Sequence, residues 1–250
     1  MPPAPRLRLL SFDLDGTLAN TEQLKAESYA WAAHQLLPAL DPADVEAAYP
    51  DYVGRSREEI SRGLTERFAL ADAARARDSS VEPWEAYVVL RLERYRAMLA
   101  DHALVGRYAR PAAIALARAA PDLAETTALV TTSDRQNADA VLDALGLTGA
   151  FDTVVTADDV ERTKPDPEGY RLALSRLGAD ASDALAVEDS PAGLHAALAA
   201  GIDVLAVPTD FTRDAIRDLV ARGELGADAV TEPDELDAAV RRRVAQARRA

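Results

Sequence analysis

Short apolar runs recur along this chain, and most of them stop at a polar or acidic cluster. Leu7–Leu14 runs into Asp15-Gly16. Ala128–Thr131 runs into Thr132-Ser133-Asp134. Phe151–Thr156 follows, then Ala184–Val187, which ends in Glu188-Asp189-Ser190, and Val204–Val207, which Pro208 closes. Ala227–Val230 is a candidate sixth run. Their length is that of buried strands. From residue 131 onward they alternate with helical patterns at Gln136–Leu145, Glu168–Leu177, Ala192–Ala200 and Thr212–Arg222. Alternating strands and helices predict an α/β fold, a parallel sheet covered by helices. Asp166-Pro167 and Ser190-Pro191 each predict a capping side chain before a proline in the first helical turn.

The spacing is uneven. The first run ends near residue 13 and the second near 131, and the stretch between them reads as helical. Asn20-x-x-Gln23 and Ser56-x-x-Glu59 are capping boxes, the first opening a helix to about Leu37 and the second one to about Phe68. Trp84, Val88, Leu92, Tyr95 and Leu99 lie on one helical face. The chain therefore reads as a core of residues 1–21 and 108–250, interrupted by an α-helical insertion over 22–107.

Composition narrows the function. Of the 250 residues, 48% are hydrophobic, enough for a sizeable core. The net charge of −14 disfavours nucleic acid and anionic membranes as partners. No apolar run approaches the roughly 18 residues of a membrane span. With no cysteine, thiolate chemistry and disulfides are excluded. The proline-rich Met1–Pro5 does not resemble a signal peptide, so a cytoplasmic location is expected. Only two of the 28 basic residues are lysines, Lys25 and Lys164. A lysine kept in such an arginine-rich chain points to a site where a compact point charge is needed.

In a doubly wound sheet ligands gather outside the carboxyl ends of the strands. That edge would collect Asp13 and Asp15 from the first run, Thr131 from the second, Lys164 from the loop after the third, and Glu188 and Asp189 from the fourth. Crowded carboxylates repel one another, and a hard cation relieves this. Mg²⁺ suits a few carboxylates together with waters and phosphate oxygens. Lys164 fits a phosphate oxygen, and Gly16 lets the backbone approach a bulky anion. Asp13 can attack phosphorus, and Asp15 can act as general acid and then base.

Four segments resemble the motifs of the haloacid dehalogenase-like hydrolase superfamily: Phe12-Asp13-Leu14-Asp15-Gly16-Thr17-Leu18, Thr131 after Ala128-Leu129-Val130, Lys164-Pro165-Asp166-Pro167, and Val187-Glu188-Asp189-Ser190-Pro191-Ala192-Gly193. The resemblance implies a mobile helical cap over a Rossmann-like core. It implies Asp13 as nucleophile, Asp15 as acid/base, and Thr131 and Lys164 as phosphoryl binders. It places Mg²⁺ on Asp13, the Asp15 carbonyl and Asp189, with Glu188 as a ligand or beside one. Thr132 would offer a backbone donor. Asp15 separates the chain from the dehalogenases and phosphonoacetaldehyde hydrolases, which lack that aspartate.

Asn20-Thr21-Glu22 and Gly54-Arg55-Ser56-Arg57 are similar to the branch of β-phosphoglucomutase and small sugar phosphatases. Lys25 stands where the mutase has histidine, which favours a phosphatase over a mutase. Arg57, at the start of the Ser56-capped helix, and Lys25 are the cap candidates for gripping substrate. The expectation is a phosphatase of small phosphorylated metabolites. A phosphosugar mutase and a non-catalytic binding protein on the same scaffold are the alternatives. The oligomeric state is left open.

Overall fold

The computed structural model describes residues 7–53 and 55–246. Met1–Pro5, Gly54 and Arg248-Arg249 lie outside the described residues. The chain separates into two compact units, one of Thr21–Leu104 and one of Met1–Asn20 with Val105–Ala250.

In chain order, strand β1 (Leu7–Phe12) leads to six helices: α1 (Thr21–Leu36), α2 (Pro42–Ala48), α3 (Arg57–Arg67), α4 (Ala71–Arg77), α5 (Pro83–Leu99) and α6 (His102–Arg107). Next come α7 (Pro111–Leu123), β2 (Ala124–Val130), α8 (Arg135–Ala144), β3 (Thr153–Val155) and α9 (Glu168–Leu177). The chain continues through β4 (Ala184–Glu188), α10 (Pro191–Ala199), β5 (Asp203–Ala206), α11 (Arg213–Ala221) and α12 (Leu236–Gln246).

All the strands belong to one parallel sheet of order β3-β2-β1-β4-β5. Phe12 pairs with both Leu129 and Val187, so β1, β2 and β4 end level with one another. One face packs Leu9, Val130, Val155 and Val204 under Tyr170 of α9, Leu194 of α10 and Ile216 of α11. Helix α7 lies against β1 and β2 and also contacts α12. The strand order reverses between β1 and β4, and a doubly wound sheet opens a crevice there.

Regular structure in the Thr21–Leu104 unit is helical throughout its described residues. Its core joins Tyr29, Tyr49, Leu64, Tyr87 and Leu90. The Ser56 capping box forms with Glu59. Among the described residues no helix is long and apolar enough to cross a membrane.

Several local expectations change. Ala227–Val230 is not a sixth strand. Ala227–Ala229 form a 3₁₀ turn, and only Val230 bridges to Ala206. The Ala229 amide closes a turn on the Gly226 carbonyl at 3.0 Å, so Ala227–Ala229 have no extended backbone to offer a ladder. β2 begins at Ala124 rather than Ala128, because Leu7 of β1 offers a partner there. Pro167 is itself the residue preceding α9, and the Asp166 carboxylate accepts from the Glu168 amide at 3.0 Å. Ser190 caps α10 as expected, accepting from the Gly193 amide.

Candidate active site

Pairing with β4 continues one residue past β1, with the Asp13 amide donating to the Val187 carbonyl at 3.0 Å. The chain then turns tightly through residues 14–19, with Gly16 donating to Ala19 and Leu18 to Leu14. Gly16 has φ +91°, and a Cβ there would lie 2.1 Å from Asp189 Oδ2. Glycine is therefore required twice over, by backbone conformation and by the packing of the turn on the Asp189 carboxylate.

The strand ends bring together what the sequence analysis placed at this edge. Asp13, Asp15, Thr131, Glu188 and Asp189 are all buried. Lys164 donates to Asp13 Oδ1 at 2.7 Å, to the Val130 carbonyl at 2.7 Å and to Glu188 Oε1 at 2.5 Å. One ammonium thus uses its three protons on three strands, a geometry suited to lysine and unsuited to a planar guanidinium. Thr131 accepts from the Ser133 amide through its hydroxyl. Thr132 is exposed at the same strand end.

Two contacts were not legible in the sequence. Tyr170 of α9 donates to Glu188 Oε1 at 2.5 Å. The Ser133 hydroxyl donates to Asp15 Oδ2 at 2.6 Å, while Asp134 caps α8. Lys25 and Arg57 belong to the helical unit. There Lys25 pairs with Glu22 at 2.7 Å, and Arg57 opens α3.

Asp13, Glu188 and Asp189 present carboxylate oxygens within 4.8 Å of one another. Glu188 Oε2 is buried and has no hydrogen-bond partner among the described residues. A Cβ at residue 193 would lie 1.9 Å from that oxygen, so Gly193 lets α10 close over the carboxylate. An unpartnered buried oxygen inside a cluster of carboxylates fits a hard divalent cation, which prefers oxygen ligands.

Electrostatics agree with that fit. Burial pushes the Asp13 carboxyl up to about 7, Glu188 and Asp15 push in the same direction, and Lys164 opposes them. Burial works against the charge on Lys164, but Asp13 and Glu188 outweigh it and hold the ammonium's pKa above its usual value. Without a metal Asp13 therefore stays protonated at mildly acidic pH. The unfolded chain loses that proton near 3.8 and the folded chain near 7, so this contribution to stability falls as pH rises between those values. With a chelator present, wild-type protein should lose about 2 kcal/mol relative to Asp13→Asn between pH 5 and 7. Urea titrations at both pH values measure it, and a difference that grows in the opposite direction contradicts the assignment.

Known proteins are similar to this chain over most of its length. A model of the haloacid dehalogenase-like hydrolases matches residues 7–201. The chain is 31% identical over 219 residues to validoxylamine A 7'-phosphate phosphatase of Streptomyces hygroscopicus subsp. limoneus, covering 82% of this chain and 87% of the relative. The structure of a putative beta-phosphoglucomutase from Thermotoga maritima superposes with a TM-score of 0.65 at 25% identity, covering 92% of this chain and 96% of that one. CbbY from Rhodobacter sphaeroides, a mutant solved in complex with xylulose-(1,5)bisphosphate, superposes with a TM-score of 0.58 at 28% identity, covering 83% and 89%.

Proposed function

The chain belongs to the haloacid dehalogenase-like hydrolase family, and on that premise we propose that it is a Mg²⁺-dependent phosphatase that hydrolyses small phosphorylated metabolites through an aspartyl-phosphate on Asp13. The observation that carries this reading is the Asp13 carboxylate, buried between Lys164 and the Glu188–Asp189 pair with Asp15 two residues on.

An Asp13 oxygen attacks phosphorus, and the bond from phosphorus to the ester oxygen breaks. Asp15 gives its proton to that leaving oxygen. Asp15 then takes a proton from water as the water attacks phosphorus, the bond to Asp13 breaks, and inorganic phosphate leaves. The Ser133 hydroxyl holds Asp15 in one orientation for both steps. The Thr131 hydroxyl and the Thr132 amide bind the phosphoryl oxygens beside the Lys164 ammonium, and Gly16 gives the backbone room to approach them. Asp13, the Asp15 carbonyl and Asp189 would hold Mg²⁺, with Glu188 beside them, and the bound ion supplies positive charge for the phosphoryl oxygens. Substrate selection is assigned to Lys25 and Arg57 of the helical unit, the cap in this reading.

The likeness to a putative mutase structure supports one other reading, the transfer of phosphate within a sugar. A phosphate-release screen of purified protein over phosphorylated metabolites, with and without Mg²⁺, separates the two. The phosphatase reading expects inorganic phosphate that stops with a chelator. Rearranged sugar with little free phosphate is the mutase result, and no turnover on any compound contradicts both.

A further inference from the structure

Arg110 precedes α7 and clasps the turn that follows Asp13 and carries Asp15. Its Nη1 donates to the Gly16 carbonyl and, at 3.1 Å, to the Val207 carbonyl. Its Nη2 donates to the Pro208 carbonyl at 3.3 Å, and its own amide donates to the Leu18 carbonyl at 2.9 Å. Val207 in turn donates to the backbone carbonyl of Glu188 at 2.7 Å. A single side chain thus links the turn after Asp15 to the segment bonded to the Glu188–Asp189 strand end.

At Gly16 the turn passes so close to Asp189 that an added Cβ would lie 2.1 Å from its Oδ2. Arg110 grips the carbonyl of that same residue. Burial pulls the Arg110 guanidinium below its usual pKa, and Asp189 is the strongest charge pulling it back up. Charged hydrogen bonds of this kind are about twice as strong as neutral ones.

We propose that Arg110 is a positioning residue that sets the spacing between the Asp13–Asp15 turn and Asp189, and so the metal affinity and turnover of the site. The metal part rests on the Mg²⁺ reading above. The positioning part does not, because the clasp can be followed on the backbone alone.

The test compares wild type with Arg110→Met, Arg110→Lys and Arg118→Met. Arg118 donates to the Leu145 carbonyl at 3.1 Å and serves as the control for loss of an ordinary arginine–carbonyl bond. Removing outer partners of a metal site typically costs 10–100-fold, so Arg110→Met should lose roughly 10–100-fold in Mg²⁺ affinity, by calorimetry with Mg²⁺ alone, and in kcat on p-nitrophenyl phosphate. KM for that ester should stay within about threefold if the loss lies in positioning rather than in substrate binding. Amide exchange at residues 14–19 should quicken. Arg110→Lys keeps the charge and can still reach one carbonyl, so it should fall between the two, and it carries the test if Arg110→Met does not fold. Arg118→Met should match wild type in every readout except stability.

Wild-type Mg²⁺ affinity and unchanged exchange in a folded Arg110 variant overturn the proposal. So does a loss that Arg118→Met shares. If wild type does not cleave p-nitrophenyl phosphate, calorimetry and exchange still decide whether the clasp positions the site, while the phosphatase reading fails separately.

Discussion

Asp13→Asn is expected to abolish phosphate release while leaving the fold intact. The amide has the volume of the carboxylate, and its oxygen can still accept from Lys164, which sits 2.7 Å from Asp13 Oδ1. The amide cannot serve as the nucleophile. Loss of a nucleophile costs several orders of magnitude, so kcat should fall by about 10⁴-fold or more. The variant also removes one negative charge from a buried group that includes Glu188 and Asp189. At neutral pH and without metal it should therefore be at least as stable as wild type. Steady-state phosphate release together with a urea titration measures both effects. Retained activity within about 100-fold of wild type contradicts a nucleophilic role, for which the expected loss is far larger.

Lys164→Met should combine a large loss of stability with a large loss of activity. The lysine is 6% exposed at its side chain and neutralises Asp13 and Glu188 together. Breaking a buried ion pair by removing one partner costs about 3–5 kcal/mol, because the other charge is left uncompensated. Loss of a charged donor to the phosphoryl group costs roughly 10²–10³ in kcat. Lys164→Arg is the sharper comparison. It keeps the charge, but a planar fork cannot reach Asp13, Val130 and Glu188 from one nitrogen, so activity should still drop by about 10²-fold. Urea unfolding and kcat for both variants test this. An arginine variant with wild-type turnover would show that charge alone is what position 164 supplies.

What the sequence could disclose follows from where the information sits. The strand ends were legible because apolar runs stop abruptly at Asp13, Thr131 and Glu188, and because one lysine stands out among 26 arginines. Ser190 before Pro191 announced its helix for a local reason, since the cap and its partner Gly193 are three residues apart.

The contacts that escaped are long-range. Ser133 reaches Asp15 across 118 positions, and Arg110 reaches Gly16 across 94. No local pattern records either. Tyr170 carries an apolar helix position and a polar contact at once, so its place on the face of α9 masked its hydroxyl. The false sixth strand shows the opposite error. Ala227–Val230 has strand-like residues, but among the described residues it forms only the single bridge from Val230 to Ala206. Helix α7 is amphipathic, with Ile114, Leu116, Ala117 and Leu123 buried, and it packs on β1 and β2.

Trapping the covalent enzyme tests the central claim most directly. Purified protein turning over a phosphate monoester is quenched in acid and reduced with borohydride, which converts an aspartyl-phosphate to homoserine. Peptide mass spectrometry then locates the change. The account requires homoserine at position 13. Phosphoryl recovered on any other side chain, or turnover with no modified chain at any quench time, contradicts it.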